Sequence, residues 1–197
     1  MKDSREHILQ TAFELFMQKS FKEVTMKEIV TKTGLSKGAF YHYFESKEQL
    51  FMEIIDHSFA GFMTVPFDTF SHESLKAFCA DYLKDISKKA GTSFVENKDL
   101  NANFYFLIFD AVRMIPDFKR KMDVMAEHEL KSWVKIIRIA RKKGEINPVM
   151  PDEQIAKFYM YSNDGIGIRL ILNNRMGQMT AEIKSLWGGF YKQLKAS

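Results

Sequence analysis

A chain of 197 residues has room for one large domain, or a small one joined to a larger one, and 46% hydrophobic residues supply an ample core. Four prolines and ten glycines, beside 18 phenylalanines and 12 methionines, favour helices over a turn-rich β fold. The single cysteine, Cys79, excludes an intramolecular disulfide and fits a reducing cytoplasm, and no run reaches the roughly 18 apolar residues of a membrane span.

The net charge of +4 is unevenly spread. Residues 1–57 hold 8 Lys and Arg against 9 Asp and Glu, and the remainder holds 21 against 16. Any nucleic-acid reader in the first part must therefore gather its lysines, at 19, 22, 27, 32, 37 and 47, on one side.

Residues 4–16 read as an amphipathic helix with charges inside it, unlike a secretion leader. The segment from Thr25 to Lys47, TMKEIVTKTGLSKGAFYHYFESK, carries the most information. Thr25 and Glu28 have the spacing of a capping box, and Met26, Ile29, Val30 and Thr33 follow at helical intervals. Gly34 suits a left-handed helix end, and Ser36 can cap the next helix. There Ala39, Phe40, Tyr43 and Phe44 are expected to face the core. Lys37 and Tyr41, with Gly38 and His42, form two columns on the other face. A glycine inside a short helix costs about 1 kcal/mol relative to alanine, which the close approach of a DNA strand would justify. Ser46 and Gln49 make a second capping box, with Lys47 at the first position of the helix they open. A cation is unfavourable there, so an outside anion such as phosphate is expected beside it. One face buried and one face free is the layout of a helix-turn-helix.

These elements, T-M-K-E-I-V, T-G-L-S, K-G-A-F-Y-H-Y-F and S-K-E-Q-L-F, with residues 8–21 before them, resemble the DNA-binding domain of the tetracycline-repressor (TetR) family. The resemblance covers roughly the first quarter of the chain. Val30 and Thr33 stand where alanine is usual. It implies an all-α homodimer: a three-helix DNA-binding domain at residues 1–47 and a larger helical ligand-binding and dimerisation domain at 48–197. It also implies a palindromic double-stranded operator. Thr25, Tyr41 and Lys47 are assigned mainly to phosphates, and Lys37, Gly38 and His42 to the groove, with Ser36 beside them.

The remaining helices are expected at 47–63, 71–89, 100–114, 117–143, 152–174 and 180–195, about nine in all. Pro66, Pro116, Pro148 and Pro151 fall at the breaks, and Gly91, Gly144 and Gly177 mark ends. The helix from Lys47 is a candidate lever between the reader and the second domain, reaching Phe59 and Phe62. The basic run from Lys131 to Lys143 reads as the solvated face and last turn of a long helix. An apolar ligand pocket is sought among Phe62, Phe78, Phe104, Tyr105, Phe109, Trp133 and Tyr159. Asp110 and Arg113, three apart, either pair or orient a polar ligand group. The penultimate helix is apolar over much of its circumference and the last adds further apolar residues, and Gly165, Ile168, Leu172, Leu186, Trp187 and Phe190 are the expected dimer contacts.

There is no phosphate loop, HExxH or nucleophile elbow, and the five histidines have no metal-ligand spacing with the cysteine. No cofactor or metal is expected. The sequence points to a cytoplasmic, ligand-responsive DNA-binding regulator, a repressor released by a small, mainly apolar molecule. The alternatives are an effector-independent regulator or activator, and an all-helical enzyme or carrier with an appended helix-turn-helix.

Overall fold

The computed structural model describes residues 2–56, 64–90 and 102–195. Among them are nine α-helices: α1 Lys2–Gln18, α2 Met26–Thr33, α3 Lys37–Tyr41, α4 Lys47–Ile54, α5 Leu75–Ala90, α6 Ala102–Met114, α7 Phe118–Lys142, α8 Asp152–Leu172 and α9 Met179–Leu194. Two 3₁₀ turns, Phe67–Thr69 and Met176–Gln178, complete the regular structure. The described residues contain no strand, only an isolated bridge between Ile146 and Lys195. The chain is all-α, as its composition and periodicity require.

Contacts divide the chain into two compact units, Met1–Thr64 with Asp99–Arg120, and Val65–Lys98 with Lys121–Ser197. This grouping differs from a boundary at residue 47, because α4 and α6 pack on α1. In α1 the buried residues Ile8, Leu9, Ala12, Phe13 and Phe16 recur at helical spacing and make one face. Ile29, Phe40, Phe44, Leu50 and Phe51 are fully buried as well, and α1 packs against α2 and α4. Phe51 sets its edge against Phe16 and Phe21, at centroid distances of 5.4 and 4.8 Å. Each such ring contributes about 1.5–3 kcal/mol by leaving water. The far part of the expected lever, with Phe59 and Phe62, lies outside the described residues.

The second unit is held by aromatic rings. Trp133 of α7 stacks on Tyr159 of α8 at 4.6 Å, and Trp187 of α9 sets its edge against both, at 5.3 and 5.1 Å. Phe78 of α5 closes the cluster, 4.9 Å from Trp133. The start of α5 falls four residues later than expected, because Ser71 and Ser74 each hold a local turn. The Glu73 N–H donates to Ser71 Oγ, and the Ala77 N–H to Ser74 Oγ. The Glu145 carboxylate then takes the N–H groups of Leu75 and Lys76 at 2.7 and 3.0 Å, together with the Tyr191 hydroxyl at 2.9 Å. A carboxylate on otherwise unpaired N–H groups at a helix start is favoured by charge and hydrogen bonding alike.

The basic run of α7 is only partly a solvated face. Arg141 donates to Asp152 Oδ1, Pro148 O and Met150 O, and Lys143 to Glu73 O, so these two cations tie loops to the helix end.

Candidate nucleic-acid interface

The first unit presents two short helices whose ends are set by local hydrogen bonds. Thr25 is extended, and its Oγ1 accepts the Glu28 N–H at 3.2 Å. Gly34 takes the left-handed conformation, φ +68°, and its N–H donates to Thr31 O. A side chain would be strained there. Ser36 Oγ accepts the Ala39 N–H at 3.3 Å and opens α3. Thr33 is buried, and its hydroxyl donates to Val30 O at 2.8 Å, so the larger residue at this position is satisfied.

Both capping boxes are half formed. The Glu28 carboxylate turns to the Lys19 ammonium at 2.5 Å instead of the Thr25 N–H. The Gln49 side chain takes the Glu45 N–H instead of that of Ser46, while Ser46 Oγ accepts the Gln49 N–H at 3.1 Å. An ammonium ion outcompetes an amide for a carboxylate, which explains the first departure. His7 of α1 supplies a contact that the sequence did not flag, with its Nε2 3.1 Å from Thr33 O.

Phe40 and Phe44 are fully buried under α3 and hold its inner face. Tyr43 is half-buried, and Ala39 is exposed rather than core-facing, because a five-residue helix has room for little more than one anchoring ring per turn. Thr25, Ser36, Lys37, Gly38, Tyr41 and His42 are all exposed. A Cβ added at Gly38 would meet no atom within 4 Å, so nothing inside the chain demands glycine there. Beside this face an open concavity of about 490 Å³ runs along α2, lined by Thr25, Lys27, Glu28, Thr31 and Lys32. Lys27, Lys32 and Lys37 make no ion pair among the described residues. Unpaired cations on an otherwise acidic unit are thus gathered along α2 and the start of α3.

Lys47, expected at a phosphate, has partners inside the chain. Its ammonium donates to Phe21 O and Val24 O, both at 2.7 Å, and lies 4.3 Å over the Phe21 ring. Two of its three N–H donors are therefore engaged inside the chain.

A buried-backed short helix behind a left-handed glycine turn, with a polar and cationic outer face, is the working part of a helix-turn-helix DNA-binding protein. The family model described as bacterial regulatory proteins, tetR family, matches residues 8–54. The transcriptional regulator YfiR of Bacillus subtilis (strain 168) is 29% identical over 168 residues, spanning 84% of this chain and 79% of YfiR. YdgC of the same organism, also named a helix-turn-helix transcriptional regulator, is 32% identical over 139 residues, 65% of this chain and 67% of YdgC. The crystal structure of MexZ, a repressor responsible for antibiotic resistance in Pseudomonas aeruginosa, shares the fold with a TM-score of 0.70. That alignment is 17% identical and covers 100% of this chain and 97% of MexZ. The chain belongs to the TetR family of DNA-binding transcriptional regulators. Among the described residues no helix is long and apolar enough to cross a membrane.

The residues expected at a dimer contact differ in exposure. Tyr161, Gly165, Ile168 and Leu172 form one exposed stripe along α8, and Leu186 is exposed on α9. Phe190 is half-buried and stacks on Phe158 at 3.7 Å. Trp187 is a correction. It is buried in its own chain, and its Nε1 donates to Ser162 Oγ at 2.9 Å, because α9 turns this ring toward Trp133 and Tyr159.

The residues expected around a ligand fall in both units. Phe62 and the Phe104 side chain lie outside what is described. Tyr105 is half-buried, Phe109 is 63% exposed, and Asp110 pairs with Arg113 at 3.3 Å, all on α6 of the first unit. Phe78, Trp133 and Tyr159 are fully buried in the second unit, where the Trp133 ring packs against both of the others. Cys79 is half-buried against the same core, and desolvation pushes its thiol above the ordinary range. Glu129 of α7 is a feature the sequence did not single out. Burial, then the Asp164 carboxylate, push its carboxyl up to about 7, against a hydrogen bond from Trp133 Nε1.

Proposed function

We propose that the protein is a repressor that binds a near-palindromic duplex operator as a homodimer and is released by a small effector. The observation that carries the DNA contact is the outer face of α3, with Lys37, Gly38, Tyr41 and His42 exposed above the buried Phe40 and Phe44. Lys37, Gly38 and His42 enter the major groove, while Thr25, Ser36 and Tyr41 meet phosphates and fix the register. In this reading residues 1–47 hold the reader, and the remainder serves assembly and regulation in the cytoplasm.

The dimer is supported by the exposed stripe of Tyr161, Gly165, Ile168 and Leu172 beside Leu186. Two copies of α8 and α9 would form a four-helix interface, with glycine at its middle allowing close approach. A two-fold axis then requires half-sites about 34 Å apart, or a multiple of that distance. A mainly apolar effector suits the aromatic second unit, provided its rings repack around the molecule. The mutual contact of Trp133, Tyr159 and Trp187 favours a second reading, a regulator whose larger unit only dimerises.

Selection of bound sequences from random duplex DNA, repeated with a metabolite library, tests both readings. Enrichment of a near-palindrome is expected, and Lys37→Ala should relax it. No enrichment, or unchanged affinity after Lys37→Ala and Tyr41→Ala together, rejects the DNA contacts. For any effector found, its affinity is measured with and without operator. A coupling of about 1–3 kcal/mol weakens both partners by the same 5- to 150-fold factor. Equal affinities leave the effector-independent regulator.

A further inference from the structure

We infer that Lys47 is a positioning residue of the DNA reader, whose ammonium fastens the α1–α2 turn to the first turn of α4. The inference rests on the DNA-binding face proposed above and concerns what sets its geometry.

Lys47 stands at the first position of α4, where the helix dipole disfavours a cation. The misfit is relieved by where the ammonium goes. It reaches back 26 and 23 residues to Phe21 O and Val24 O and lies over the face of the Phe21 ring. Two carbonyl oxygens and a ring face surround it with negative partial charge. Neither oxygen accepts a backbone N–H from the described residues, so the lysine satisfies both. Val24 is fully buried and Phe21 half-buried, so leaving these oxygens without a donor is costly.

The effect on DNA passes through the peptide plane. Val24 C=O and the Thr25 N–H belong to one rigid unit. Pinning that oxygen fixes the plane from which Thr25 projects, and Thr25 caps α2 and faces outward. The turn is fastened at two further points. Lys19 meets Glu28, and Ser20 donates its N–H and its hydroxyl to Glu23. Lys47 is the only one of these ties that reaches α4. It sits beside the Phe16, Phe21 and Phe51 cluster, so the brace joins the turn to the packed core of the unit.

The test uses the full chain and the duplex that wild type selects. Lys47→Met keeps the apolar stem and removes the donors. Lys47→Arg restores them, and Thr25→Ala is combined with Lys47→Met. Operator affinity is titrated across salt concentrations, and amide hydrogen exchange is followed at residues 20–28. We expect Lys47→Met to raise exchange in the turn and weaken operator binding by about tenfold each, with Lys47→Arg recovering most of both. The salt slope should stay within about half a unit of wild type, since Thr25 is uncharged and no cation is removed from the DNA contact. Adding Thr25→Ala to Lys47→Met should cost no more than about twofold further, because both act through one point. A salt slope smaller by about one, additive losses and unchanged exchange would make Lys47 an independent phosphate contact and overturn the inference. Should Lys47→Met not fold, Phe21→Leu removes the ring face and leaves both carbonyls. Faster exchange in the turn with an unchanged salt slope is expected there, and unchanged exchange overturns the brace. If wild type selects no duplex, the DNA-binding face fails, while exchange in the turn still decides the role of Lys47.

Discussion

Gly38→Ala separates folding from DNA binding, because the two should move in opposite directions. Gly38 is the second residue of α3 and has an ordinary helical backbone. The added methyl would meet no atom within 4 Å in the free protein. Alanine in place of a helical glycine stabilises by about 0.5–1 kcal/mol, and a position in the first turn of a short helix belongs at the lower end. For a chain of this size that raises the melting temperature by about 1–2 °C. Against DNA the same methyl occupies the space into which the duplex must come. Overfilling a close contact costs about 1–3 kcal/mol, a 5- to 150-fold loss of affinity. Calorimetric melting gives the first quantity, and fluorescence anisotropy with labelled operator gives the second. Gly34→Ala is the control. At φ +68° its side chain is strained, so stability and affinity should fall together. If Gly38→Ala melts higher yet binds operator as tightly as wild type, no strand approaches α3 at this point, and the placement of DNA over Gly38 is wrong.

Charge on the exposed stripe should separate the copies without unfolding them. Ile168→Glu with Leu172→Glu is expected to sediment as a folded monomer with weakened operator binding, and a persisting dimer would move the interface elsewhere. Trp187→Glu should instead abolish folding by circular dichroism, since this ring is 3% exposed and packs on Trp133 and Tyr159. Glu129 gives a pH signature. Its folded value of about 7 stands above the ordinary 4.5, so the folded state holds the proton more tightly. That contribution is fully present below about 4.5 and is lost as pH rises through about 7. Glu129→Gln should therefore flatten the decline between these values and be more stable than wild type at pH 8 by about 1–3 kcal/mol. Parallel pH curves from chemical denaturation would refute it.

The helix-turn-helix was legible because its signals are local. Thr25, Gly34 and Ser36 determine helix ends through hydrogen bonds and backbone conformations spanning three or four residues, and each was found in that role. The alternation of Phe40 and Phe44 with Lys37 and Tyr41 likewise needs only the helical repeat to divide core from surface. The destination of long polar side chains was not legible. Lys47 and Glu28 carried the right local spacing for a helix start, yet their charged ends meet Phe21, Val24 and Lys19, which only the folded turn brings near. The same limit governs α8 and α9. Both are apolar around much of their circumference, so periodicity does not choose a face. Leu186 and Trp187 are adjacent, and the rotation of α9 against α7 and α8 sends the first to solvent and the second into the core. Glu129 completes the contrast, since nothing in its neighbours along the chain announces burial. Its raised pKa arises from desolvation by packed elements and from Asp164, 35 positions away, and only the tertiary structure could place them together.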